Sequence, residues 1–236
     1  MTIAEHQSVS AACWSCGAPL TAAKAFCEGC GKVQPPAENV DYFAVLDIPR
    51  RLNIDVPVLE RAFYKLSRRL HPDVYARASA EEQQWSLDQT SLLNDAWRTL
   101  KNPVSCTEYL LKLEGVNIGS ERTEDGKAKE SRVPADLLEE VFELNMQLEE
   151  MRMTRKMGED DPSLRADLEK AKTQFEGQLS AVDSDLQALW SEWDAAAEQK
   201  ETETVTNSIK DRMVALLDRR RYIRNLVRDV NDALGN

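Results

Sequence analysis

The sequence predicts an all-α fold: a helical hairpin in the middle of the chain and a C-terminal three-helix bundle, preceded by a small ribbon held by four cysteines. Three observations carry this reading. Apolar residues recur at spacings of three and four through most of the chain after residue 56. Prolines stand where those runs begin or end, at Pro57, Pro72, Pro103, Pro134 and Pro162. Four of the five cysteines crowd near the start as two Cys-x-x-Cys pairs.

Composition limits the function classes. The 236 residues suffice for one ordinary domain or two to three small ones, and 42% hydrophobic residues are enough for packed cores without an apolar run that could cross a membrane. A net charge of -11 argues against unspecific binding to nucleic acid, and 30% charged residues predict solubility. The first dozen residues contain no Arg or Lys, unlike a secretory signal or an organellar transit peptide. A cytoplasmic protein of bacterial type is expected.

Cys13-Trp14-Ser15-Cys16-Gly17 and Cys27-Glu28-Gly29-Cys30-Gly31 are separated by ten residues, enough for a short ribbon that brings both turns to one ion. Four thiolates complete the closed tetrahedral shell of zinc, and the glycines permit the tight turns that aim backbone N–H groups at sulfur. A redox dithiol pair or an iron site is the alternative. A ribbon this short buries no core of its own, so the metal supplies its folding energy. Cys106, alone in a helical stretch, reads as a small buried apolar side chain.

Residues 33–39, with two prolines, read as an extended linker. Tyr42, Phe43 and Leu46 make a short first helix. In 56–70, Leu59, Phe63, Leu66 and Leu70 form an apolar stripe, while Arg61, Lys65 and Arg68 form a basic one. Asp55 caps this helix, and Pro72 ends it at Leu70-His71-Pro72-Asp73. Ser79 with Glu82 predicts a capping box for a third helix, whose Leu92, Leu93, Ala96, Trp97 and Leu100 close the core. The tripeptide His71-Pro72-Asp73 thus stands at the mouth of a helical hairpin beside a basic face.

Asn102-Pro103 breaks the third helix, and a further helix over 105–113 ends at Gly115. Residues 119–132 are dense in charge, with no large apolar residue, and read as a linker or loop. Pro134 opens a run in which Leu138, Val141, Leu144, Leu148 and Met151 fit one inward line, while Phe142 with Leu138 and Met146 covers a flank. Asp161-Pro162 starts a second helix with Leu164, Leu168, Phe175, Val182, Leu186, Leu189 and Trp193 on one stripe. A third helix carries Ile209, Met213, Leu216, Ile223, Val227, Val230 and Leu234. The three pack as a bundle with a coiled-coil-like end projecting around Trp190, Trp193 and Ile209. The apolar flank of its first helix is either part of a wide core or a docking surface.

The segments Asp41 to Leu46, Tyr64 to Asp73 and Leu93 to Leu100 together resemble a J domain, the module that docks on heat-shock ATPases of the DnaK type and stimulates ATP hydrolysis. Joined to the Cys-Trp-x-Cys-Gly ribbon, to Glu108-Tyr109-Leu110-Leu111-Lys112-Leu113-Glu114-Gly115, and to a helical domain with Phe142-Glu143-Leu144-Asn145 and Arg221-Tyr222-Ile223-Arg224-Asn225-Leu226, it resembles the HscB family. That family comprises J-type co-chaperones of iron-sulfur cluster assembly, and the ribbon is typical of its eukaryotic members. The likeness is close from Cys13 to Gly115 and weaker beyond. It implies a ribbon over 1–33, a J domain over 40–115 and a scaffold-binding bundle over 133–236. It also implies that His71, Pro72, Asp73, Arg61, Lys65, Arg68 and Arg69 contact a DnaK/HscA-type ATPase. Leu138, Phe142, Glu143, Met146, Arg221 and Tyr222 would hold an IscU-type scaffold, with the spacing of four between the first, second and fourth of these placing them on one helix face.

With only His6 and His71 as histidines and no catalytic cluster, the chain is expected to bind no nucleotide and to be no enzyme. Stimulation of the partner's hydrolysis would then be conformational. The ribbon either braces the J domain or pairs the protein with itself. A general J protein for unfolded clients would need a Gly/Phe-rich segment, and the chain has only 9 glycines. A zinc-ribbon protein that binds nucleic acid would need a phosphate track, and Lys24 and Lys32 are the only basic residues of the ribbon. The expected partners are therefore proteins, with no nucleic acid and no membrane.

Overall fold

In the computed structural model, the described residues are 12–20, 23–116, 134–159 and 161–235. The expected N-terminal tail with His6 and the charged linker over 119–132 lie outside them. The helices are α1 (Tyr42–Val45), α2 (Val56–Leu70), α3 (Ala80–Lys101), α4 (Pro103–Leu113), α5 (Leu138–Lys156), α6 (Pro162–Gln199) and α7 (Glu203–Leu234), with 3-10 turns at Pro72–Tyr75 and Ala135–Leu137. The only β pairing among the described residues is two isolated antiparallel bridges, Ala12 with Pro19 and Phe26 with Val33. No helix among them is long and apolar enough to cross a membrane. The chain forms two compact units, Met1–Leu110 and Leu111–Asn236, with the division falling inside α4.

In the first unit, Asp55 accepts from Val58 N at the start of α2, and Pro57 sits in its first turn, where a missing N–H costs nothing. Leu59 and Leu70 are buried, and Phe63 stacks on Trp97 at 4.8 Å between ring centroids. Trp97 is therefore a packing residue. Ser79 and Glu82 form the capping box of α3. Leu93, Ala96 and Leu100 close the core from α3. Asp41 caps α1 through Phe43 N and holds Arg50 at 2.6 Å. Tyr109 of α4 accepts from Tyr42 N at 2.9 Å and stacks on the Tyr42 ring, and burial pushes its phenol up to about 12.

The ribbon is packed onto this unit. Its Trp14 meets Trp85 at 5.4 Å between centroids, Lys32 reaches Glu82 at 2.7 Å, and Lys24 pairs with Asp47 at 3.0 Å. Val33 and Gln34, expected in an extended linker, are buried. The first half of α3 is correspondingly buried through polar residues, Glu82, Ser86 and Gln89. A hydrophobic pattern could not reveal this face, because its partners are charges and amides.

The second unit is built on the antiparallel pair α6 and α7. Asp161 caps α6 through Ser163 N and Leu164 N. The pairs Arg212 with Glu192 and Arg220 with Asp183, both at 2.6 Å, mark one antiparallel register. α5 has 19 residues against 38 in α6, about 28 Å against about 57 Å, so α6 and α7 run on past its start. Trp193 and Ile209 are buried in that continuation, as expected.

Three positions differ from the predicted stripes. Leu137, not Leu138, joins Val141, Leu144, Leu148 and Met151 on the inward seam of α5. Leu217 and Leu226 of α7 are buried where Leu216 and Val227 were expected. At each place two apolar residues stand side by side, and a spacing of three or four fits both, so the partner helix decides between them.

Candidate functional site

Three features stand out from the packing: the cysteine cluster, the turn after α2 with its basic face, and an apolar strip on α5.

In the ribbon, each Cys-x-x-Cys pair sits in a tight turn. Cys13 N donates to Ala18 O at 2.8 Å and Gly17 N to Cys13 O at 2.9 Å, repeated by Cys27 N to Lys32 O at 2.9 Å and Gly31 N to Cys27 O at 2.8 Å. Gly17 and Gly31 close these turns with φ of +72° and +73°, a conformation glycine adopts without strain. The four Sγ atoms lie within 4.8 Å of one another. Cys13 to Cys30 measures 3.6 Å and Cys16 to Cys27 3.7 Å. Sulfurs at about 2.3 Å from a common tetrahedral centre stand about 3.8 Å apart, so the spacing of the cluster suits zinc. A disulfide needs a separation near 2 Å, and all four thiols are free. With every position of the shell filled by sulfur, the metal supplies rigidity rather than Lewis-acid chemistry.

At the end of α2, His71 leaves the helix with ψ of 131°, and Pro72 opens the 3-10 turn. His71 Nδ1 accepts from Asp73 N at 3.3 Å, and both side chains are exposed. The Leu70 carbonyl, freed by the end of the helix, accepts from Ser86 Oγ at 2.6 Å and Thr90 Oγ1 at 3.2 Å, which ties the turn to α3. Arg61, Lys65 and Arg68 are exposed and make no ion pair among the described residues. Arg69 is different: its guanidinium lies 3.8 Å from the centroid of the Phe26 ring of the ribbon. Tyr64, 55% exposed, lies within the basic stripe, and Val74, 64% exposed, follows the tripeptide. Sequence reasoning passed over both. Tyr64 was detectable as the residue three after Arg61, on the same helix face.

On α5, Leu138, Phe142 and Met146 are 55%, 67% and 60% exposed, while Val141, Leu144 and Leu148 on the inward line are buried. The flank predicted from spacing is therefore surface rather than a widened core. Met153 and Met157, also exposed, continue it toward the end of the helix. Arg219 holds Asp136 at 2.7 Å, bringing the start of α5 to α7 one turn before the half-buried Tyr222. The guanidinium keeps the Asp136 carboxyl below its ordinary range. Arg221 is half-buried and donates to Asp218 at 3.1 Å. Glu143 borders a groove between α5 and α6 that is also lined by Glu140, Asp167 and Lys170.

No model of a known protein family matches the chain. Individual relatives do. It is 31% identical over 166 residues to the mouse (Mus musculus) iron-sulfur cluster co-chaperone protein HscB, covering 69% of this chain and 68% of that protein. With the human (Homo sapiens) protein of the same name it shares 33% over 157 residues, 65% of this chain and 64% of the relative. The crystal structure of human HscB superposes with a TM-score of 0.61 at 24% identity, over 94% of this chain and 97% of that one. This last likeness speaks for the fold.

Proposed function

This chain belongs to the HscB family, and we propose that it is a two-site co-chaperone that brings an IscU-type scaffold protein to a DnaK/HscA-type ATPase and stimulates ATP hydrolysis there. The observation that carries the reading is the apolar strip Leu138, Phe142 and Met146, left in solvent on a helix whose inward line Val141, Leu144, Leu148 and Met151 is buried, in the same chain as an exposed His71-Pro72-Asp73 turn. Exposed apolar residues at helical spacing on a stable bundle suit a protein partner.

The J domain contributes contact rather than chemistry. His71, Pro72 and Asp73, with Arg61, Lys65 and Arg68, present a rigid turn and a positive face to the ATPase, steering association and favouring its client-holding state. Arg69 adjoins this face while also supporting the ribbon. The second unit holds the scaffold on Leu138, Phe142, Met146 and Tyr222, with Glu143 and Arg221 as polar neighbours. Carrying both contacts in one chain raises the scaffold's concentration beside the ATPase. The cytoplasm, where thiols stay reduced, suits the tetrathiolate site.

The test is single-turnover ATP hydrolysis by a DnaK/HscA-type ATPase with the intact chain, with the scaffold, and with both. Stimulation by both together is expected to exceed the product of the separate effects. A purely multiplicative result, or no stimulation by the chain alone, contradicts the proposal.

A further inference from the structure

Gln34 is the residue at which the ribbon, its cysteines and α3 meet. Its Nε2 lies 3.4 Å from Cys13 Sγ, 2.9 Å from the Lys32 carbonyl and 3.1 Å from the Val33 carbonyl. A metal-bound thiolate and two carbonyls only accept, so the nitrogen rather than the oxygen of the amide faces them. The residue is 2% exposed, and its Oε1 has no partner among the described residues. Burying an unpaired carbonyl is costly, and the three acceptors around the nitrogen explain why the amide is held this way. The backbone of Gln34 is fastened at both ends, its N–H to Ala25 O at 2.9 Å and its C=O by Gln89 Nε2 at 3.0 Å. Gln89 lies on α3 between Ser86 and Thr90, whose hydroxyls hold the carbonyl of Leu70, the residue before His71. A chain of hydrogen bonds therefore runs from a cysteine sulfur through Gln34 and α3 to the base of the exposed turn. Lys32 on Glu82, Trp14 on Trp85 and Arg69 on Phe26 flank it.

We infer that Gln34 is a positioning residue that couples the tetracysteine metal to the His71 turn, so that loss of the metal frees the first half of α3 and loosens the end of α2. The ribbon is too small to hold its shape without the ion. Once it relaxes, Trp14, Phe26, Lys32 and Gln34 no longer have fixed positions, and Glu82 and Gln89 lose the partners that cover them. A donor to a ligating sulfur also stabilises the metal itself, and removing such a partner typically costs about 10- to 100-fold in affinity. The consequence for ATPase stimulation rests on the function proposed above; the coupling within the unit does not.

The test uses the full chain in three forms: zinc-loaded, stripped by chelator, and a zinc-loaded Gln34→Met variant. Hydrogen exchange read by mass spectrometry is expected to show amides of 84–90 and of Leu70 and His71 exchanging at least about tenfold faster after stripping, while 93–100 and α6 keep their rates. Gln34→Met is expected to surrender zinc to a chromogenic chelator at least about tenfold faster than the wild type. Zinc lost from that variant during purification supports the same link, and stripped wild-type protein then decides the link to the turn. Unchanged exchange over 84–90 on stripping, or wild-type zinc release from Gln34→Met, overturns the inference. Loaded wild-type protein that fails to stimulate the ATPase contradicts the proposed function while leaving the exchange result to stand or fall on its own.

Discussion

Arg69 lies with its guanidinium 3.8 Å from the centroid of the Phe26 ring, whereas its neighbour Arg68 is exposed and unpaired among the described residues. Two adjacent arginines at the end of one helix thus have different surroundings. A cation over an aromatic ring contributes about 0.5–1 kcal/mol at an exposed site, so Arg69→Ala is expected to loosen the ribbon measurably. Arg68→Glu should leave the ribbon alone and weaken the ATPase contact, more so at low salt where charge is least screened. Trp14 fluorescence and ATPase affinity at two salt concentrations distinguish the two. Equal effects of both substitutions on affinity at all salt concentrations would count against this division.

His71→Gln is expected to keep the fold and abolish stimulation of ATP hydrolysis. The side chain is exposed, and among the described residues its hydrogen bond is the one that Nδ1 accepts from Asp73 N at 3.3 Å. Surface changes of this kind shift stability by no more than about 0.5 kcal/mol. Circular dichroism with single-turnover hydrolysis checks both halves of the statement, and retained stimulation would sink it.

Serine at any of Cys13, Cys16, Cys27 or Cys30 should release the metal, since each supplies one of the four convergent sulfurs. Metal analysis of the wild type is expected to give about one zinc per chain. Because the ribbon is packed on α3 rather than tethered to it, near-ultraviolet circular dichroism from the Trp14 and Trp85 pair should change as well. Less than half an equivalent of zinc, or iron in its place, would contradict the assignment.

Docking of the ribbon should be insensitive to pH across the neutral range. Lys32 holds the Glu82 carboxyl below its ordinary 4.5, and Glu82 in turn raises the Lys32 ammonium above its ordinary 10.5. A carboxylate whose pKa falls on folding contributes stability above its unfolded pKa and loses it as pH drops through the folded value. An ammonium whose pKa rises does the reverse, losing its contribution as pH climbs through the folded value. The pair therefore stays intact between about pH 6 and 9. The Trp14 and Trp85 signal should be flat over that window, and a midpoint inside it would show that another group controls docking.

Much of the fold was legible from local signals. Asp55 with Pro57, Ser79 with Glu82 and Asp161 with Pro162 marked helix starts that the structure reproduces, because caps act within one turn of chain. The strip was legible too, since Leu138, Phe142 and Met146 are offset from Val141 and Leu144 by the geometry of a single helix, but spacing alone did not tell a wide core from a surface, which the exposure of the three decides. What was not legible depends on partners distant in sequence. Leu217 over Leu216 is decided by the packing of α7, and the polar face of α3 under the ribbon has no hydrophobic period to betray it. The role of Gln34 was hidden for the same reason: an amide among prolines reads as linker until its neighbours are known.

The central claim is that α5 presents a protein-binding surface, and a Leu138, Phe142, Tyr222 triple alanine variant tests it most directly. Truncation at the centre of an interface costs about 2 kcal/mol or more of binding, whereas a buried Phe→Ala change costs about 3 to 5 kcal/mol of fold stability. Calorimetric affinity of the variant for an IscU-type scaffold, read beside its thermal melting, separates the two. The account predicts at least about a tenfold loss of affinity with little change in melting and with stimulation of the ATPase by the J domain alone retained. Unchanged scaffold affinity, or a second unit that no longer melts cooperatively, would contradict it.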